Sequence, residues 1–113
     1  MNPEIKTKWV EALRSGKYKQ GTEHFKRDGC YCVLGVLYEV AGCQWRELDG
    51  DLQPFYMEHE YIASIDLVFH EHIGLDPTNP RLEISGAIVN LISLNDAQGY
   101  DFNQMADLIE AQL

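Results

Sequence analysis

At 113 residues, with 45% hydrophobic and 24% charged side chains, the chain has the make-up of one compact domain rather than a disordered segment. Its longest apolar-and-glycine run, Cys30 to Tyr38, falls far short of the ~20 residues that a membrane-spanning helix requires. The net charge of −9 is unevenly placed: seven basic and four acidic residues in 1–28 leave +3, while two basic and fourteen acidic residues in 29–113 leave −12. A molecule charged in this way draws anions to one end and repels them at the other. Three cysteines, an odd number, and no visible secretory leader point to reduced thiols in a cytoplasmic protein.

In chain order, Asn2-Pro3-Glu4 is a helix start, because asparagine caps free amides and proline fits the first helical position. Ile5, Trp9, Val10 and Leu13 follow at helical spacing, and Gly16 closes the helix, with Arg14 and Lys17 near its negative end. Thr22 to Arg27 has no helical period and leads into Asp28-Gly29, so a hairpin is predicted with strands near 22–27 and 30–33. The run from about Cys32 to Ala41 is apolar nearly all round, which predicts a buried helix stopped by Gly42. Asp49-Gly50 marks a second hairpin.

Ile62 to Ile73 predicts a further helix ending at Gly74, and residues 76–80 read as a loop. Ala87 to Leu94 is predicted as a short helix with Asn95 at its C-cap. Asp101 and Gln104 form a capping box for the last helix, whose inner face carries Phe102, Met105, Ala106 and Ile109. The expected fold is therefore α+β. Four to five helices surround the buried helix at 32–41, with one or two hairpins, in a single domain over residues 1–113.

With Lys8-Trp9-Val10, Tyr31-Cys32 and Leu94-Asn95-Asp96 following one another in this order, the chain resembles a family of small, largely uncharacterised phage and bacterial proteins. The matching residues are Lys8-Trp9-Val10, Ala12-Leu13-Arg14-Ser15-Gly16, Tyr18, Gln20-Gly21, Tyr31-Cys32 and Leu34-Gly35-Val36-Leu37. Leu94-Asn95-Asp96, Phe102, Ala106 and Ile109-Glu110 match in the same order. Where that family commonly has two adjacent cysteines, this chain has Cys32-Val33. The resemblance implies a phage-encoded accessory role in a host cytoplasm, including capture of a defence nucleotide signal. It carries no catalytic assignment.

The residues themselves suggest an anion site. Arg14, Lys17, Lys19, Lys26 and Arg27 supply charge, Gln20 supplies an amide, and Lys8 projects from the first helix beside them. A nucleobase would stack on Tyr18 or Trp9, although Trp9 lies on the apolar stripe where core tryptophans sit. Asn95 and Asp96 complete the candidate ligand-binding set. No phosphate-binding P-loop pattern is present, and the bland alternative is a solvated basic loop.

The first functional expectation is thus a non-enzymatic, homo-oligomeric protein that sequesters a small nucleotide-like anion and needs no cofactor. A second is an acidic inhibitor that imitates nucleic acid and occupies a basic host protein. A third is a cysteine-nucleophile enzyme built on Cys30 or Cys32, with His24 among the candidate bases and Asn95 or Asp96 orienting it. Zinc is disfavoured because Cys30-x-Cys32 and His70-x-His72 lack the usual spacing of paired ligands. Duplex DNA is disfavoured because no lysine or arginine follows Arg81.

Overall fold

The computed structural model describes residues 2–49, 51–55, 81–84 and 87–113. Helix α1 spans Pro3–Arg14; the Asn2 side chain accepts from the amides of Glu4 and Ile5, as the opening sequence predicts. Two-residue strands follow: β1 (Lys19–Gln20), β2 (Lys26–Arg27) and β3 (Cys30–Tyr31). Helix α2, Val33–Val40, then leads into β4 (Gln44–Leu48) and β5 (Asp51–Phe55). Strands β6 (Arg81–Ile84) and β7 (Ala87–Asn90) precede α3 (Leu91–Asp96) and α4 (Phe102–Gln112).

The first five strands form a mixed sheet in the order β1-β3-β2-β5-β4. Its only parallel pair, among the described residues, joins β1 to β3, with Lys19 opposite Cys30 and Gln20 opposite Tyr31. Both predicted hairpins are present. The β2–β3 turn has positive φ at Asp28 (51°) and Gly29 (78°), the signature of a two-residue type I′ loop. The β4–β5 hairpin pairs Leu48 with Asp51 across Asp49-Gly50, and β6 and β7 form a separate two-stranded sheet.

The strands at the first hairpin are shorter than the pattern suggests. Glu23 sits at φ 67° and breaks the extended run ahead of β2. On the other side Cys32 leaves the sheet to become the N-cap of α2, its sulfur accepting from the Gly35 amide at 3.4 Å.

The predicted helix over Ala87–Leu94 is a correction: Ala87–Asn90 is a strand and the helix begins only at Leu91. The Asn90 side chain caps that helix by accepting from the Ser93 amide at 2.6 Å, in an extended backbone that belongs to β7. Ile88 and Val89 are β-branched and pair with Glu83 and Leu82, so their apolar pattern serves a strand. Asn95 is not a C-cap either; Ala97 holds that position. The predicted helix over Ile62–Ile73 and the loop at 76–80 lie outside the described residues.

The core forms where α1, α2 and α4 pack together. Trp9, Val10 and Leu13 meet Val33, Val36 and Leu37 of α2, Met105, Ala106 and Ile109 of α4, and Leu91 and Leu94 of α3. Every one of these follows the helical spacing of its own element, so burial of one face of each helix drives the assembly. The capping box at Asp101 and Gln104 is formed in both directions, at 2.8 and 3.0 Å. Arg14 bridges α1 to α4 through Asp107 and Glu110, each at 2.6 Å.

Candidate functional site

Lys8, Glu11, Ala12 and Ser15 recur at helical spacing along one outward face of α1. Ser15 caps the helix: its hydroxyl donates to the Ala12 carbonyl at 2.7 Å and accepts from the Lys17 amide at 3.1 Å. Gly16 follows at φ 77°, a backbone state that lets the chain reverse sharply. The reversal returns Lys17 and Tyr18 to the same face of α1, where Val40 from the end of α2 joins them. These seven residues line an open groove of about 480 Å³.

Two basic residues therefore line the groove, Lys8 and Lys17. Among the described residues neither is ion-paired. Tyr18 supplies a fixed aromatic wall: its ring meets that of Tyr31 edge-on, 5.1 Å between centroids and 89° between planes. Partial burial, and then the charge of Glu39, hold the Tyr18 phenol above its ordinary range, so it stays protonated and can donate. Ala12 and Val40 contribute apolar floor.

The remaining sequence-predicted residues do not converge here. Trp9 is fully buried and its indole N–H donates to the Val33 carbonyl at 3.0 Å, so no ligand can stack on it. Arg14 points to a different side of α1 and is held by its two acids, which raise its pKa further. Lys26 lies over the rings of Tyr31 and Trp45, at 5.0 and 5.2 Å from their centroids, where cation–π attraction holds it. The Trp45 indole N–H in turn donates to Glu39. Arg27 is drawn to Asp51, Asp28 and the His24 ring. Lys19 is exposed on β1. The basic residues ahead of Asp28 thus divide among several sites.

Gln20, half-buried, and Asn95, buried, form an internal hydrogen-bonded framework, not a ligand surface. The Asn95 carbonyl oxygen accepts from Gln20 Nε2 at 3.0 Å and from the Val33 amide at 3.2 Å. Its Nδ2 donates to the Gly21 carbonyl at 2.9 Å and to Asp96 Oδ1 at 2.7 Å. That fills the whole hydrogen-bonding capacity of one amide. Gln20 also donates to the Tyr100 carbonyl at 2.8 Å, so β1, α2 and the loop before α4 are tied through the Gln20 and Asn95 side chains together.

A second cleft of about 290 Å³ brings Glu23, His24, Cys32, Asp51 and Asp96 around Phe25 and Ile92. It gathers a thiol, an imidazole and carboxylates, yet the imidazole is committed elsewhere. Arg27 Nη1 lies 3.1 Å from His24 Nε2 and can only donate, which places the ring proton on Nδ1, 2.9 Å from Asp51 Oδ1. That carboxylate oxygen is buried and receives no well-aligned hydrogen bond, so it is held by charge. Neither ring nitrogen is available to Cys32. Burial pushes the Cys32 thiol up to about 11, and the amides at the start of α2 only partly offset that. The arrangement therefore lacks an activated nucleophile at neutral pH.

Cys43 is displaced in the same direction, to about 12, chiefly by burial. Both thiols ionise near 9 once exposed, so the folded state binds more protons than the unfolded chain above that value. Stability is then fully present below pH ~9 and falls as pH rises towards ~11, by up to about 1.4 kcal/mol per pH unit for each thiol. Urea unfolding between pH ~8 and ~10.5 will show this decline, and Cys43→Ala will make it shallower. A profile unaffected by the substitution would remove the buried thiol from the explanation.

Fold and site together define a small α+β domain with a cationic, aromatic-walled groove on its first helix and a separate amide network around Asn95. The chain belongs to the family described as Domain of unknown function (DUF8296), whose model matches residues 1–113. No curated protein and no solved structure matches it significantly. Among the described residues no helix is long and apolar enough to cross a membrane, and no group of three or more His, Cys, Asp or Glu could hold a metal ion.

Proposed function

We propose that this domain is a non-enzymatic binding protein that holds a small phosphate-bearing, nucleotide-like ligand in the groove on α1. The observation that carries this reading is that Lys8 and Lys17 line one groove, neither of them ion-paired among the described residues, with the fixed ring of Tyr18. Ammonium groups bind phosphate as point charges, and an aromatic wall adds contact area for a base. The ligand set contracts accordingly from the wider basic cluster to Lys8, Lys17 and Tyr18. In the phage setting that the resemblance implies, such a domain serves as a sponge for a signal nucleotide.

Calorimetric titration of the full chain with adenosine monophosphate tests the site. The double variant Lys8→Glu, Lys17→Glu is expected to weaken binding by at least about a hundredfold, since each reversal replaces attraction with repulsion. Both side chains are solvent-facing, so the melting temperature should stay close to that of the unaltered chain. Equal affinity for the two proteins would reject the groove as the site.

A further inference from the structure

The groove contains one residue whose charge opposes the ligand it is proposed to take. Glu11 stands one helical turn from Lys8, on the crest between the groove and a neighbouring cleft that includes Lys6, Arg14 and Glu110. With Lys8 and Lys17 it leaves the groove with a formal charge of only +1. Two further features keep the local potential low. The groove lies at the C-terminal end of α1, where helix carbonyls repel anions, and the Glu39 charge is felt at Tyr18.

A site built for charge alone would omit a carboxylate there, and a carboxylate accepts hydrogen bonds that a fully ionised phosphate cannot donate. We infer that Glu11 is a specificity residue, which selects ligands bearing a single phosphate together with a hydroxyl or amino donor and rejects polyphosphates. One phosphomonoester carries roughly −1.5 to −2 at neutral pH, which two ammonium groups balance; each additional phosphate meets Glu11 with no further cation in the groove. The donor that Glu11 receives would come from the sugar or base, while Tyr18, Ala12 and Val40 hold the planar part of the ligand. The matching ligand class is a nucleoside monophosphate.

This inference rests on the proposed anion site, and the experiment separates the two. The full chain is titrated in magnesium-free buffer with adenosine monophosphate, ribose phosphate and adenosine triphosphate, then again as Glu11→Gln. The unaltered protein is expected to bind adenosine monophosphate more tightly than either adenosine triphosphate or ribose phosphate. Glu11→Gln keeps the side-chain length and removes one negative charge, so the triphosphate should gain about tenfold relative to the monophosphate. Wild-type binding of the triphosphate as tight as that of the monophosphate or tighter, or an unchanged ratio in Glu11→Gln, would overturn the role of Glu11 while leaving the anion site standing. No binding of any of the three would overturn the anion site, and the inference with it.

Discussion

Asn95→Leu will lower the unfolding free energy by about 3 to 5 kcal/mol, a loss far beyond that of an ordinary polar substitution. Leucine is close to asparagine in shape but strips partners from four groups at once. The Val33 amide, the Gly21 carbonyl, the Gln20 amide and the Asp96 carboxylate all lose a bond. Asn95 itself is only 3% exposed, so water cannot readily replace it. An unmade buried hydrogen bond costs about 1 to 3 kcal/mol, and some local relaxation keeps the sum below four full penalties. The Val33 amide is critical because it belongs to the unsatisfied first turn of α2. Urea denaturation measures the effect directly, and a loss below about 1 kcal/mol would show that the network is dispensable.

Gly35→Ala is expected to be comparably severe for a different reason. A β-carbon at this position would lie 1.9 Å from the Phe25 carbonyl oxygen and 2.8 Å from its carbonyl carbon. These are backbone atoms, so no rotamer change relieves the overlap. The Phe25 carbonyl also accepts from the Cys32 amide at 3.2 Å, which fixes it against the start of α2. The helix and the segment leading into β2 must separate, at a cost of roughly 3 kcal/mol or more by comparison with overpacked cores. Failure to fold, or a melting temperature lower by about 10 °C or more, is the expected outcome. Near-wild-type stability would contradict so close an approach.

These two positions explain why the sequence was informative about the scaffold and less so about the site. Helix boundaries were legible wherever chemistry is local: Asn2-Pro3 at one end, Asp101 with Gln104 at the other, and Asp28-Gly29 between strands. The buried helix was legible because its apolar character needs no partner to be seen. Asn95 and Gly35 stood among the residues that carried the family resemblance, but their partners lie far away in sequence, so no local pattern disclosed what they do. Residues 87–94 show the converse failure. Alternating and helical spacing agree over so short a run, and strand pairing decided the outcome.

The binding set was legible only in part. Basic residues close in sequence were expected to converge, yet a helix distributes neighbours around its circumference, so Lys8 and Arg14 face different clefts. Lys17 and Tyr18 reach the groove because Gly16 reverses the chain, a feature visible in the sequence as a helix stop but not as a fold-back. Lys26 and Arg27 found aromatic and acidic partners contributed by β4 and β5, from beyond the basic segment. Glu11 projects from an outward face of the first helix, as Lys8 and Arg14 do, but stays outside the candidate binding set, since an acid within a basic segment reads as a solvated residue.

The most direct test is amide-resolved NMR of the full isotope-labelled chain during titration with adenosine monophosphate. Perturbations should gather at Lys8, Ala12, Ser15, Lys17, Tyr18 and Val40 and saturate along one binding curve. Shifts centred instead on Glu23, Cys32 and Asp96, or spectra that do not change, would mean that the groove on α1 holds no such ligand.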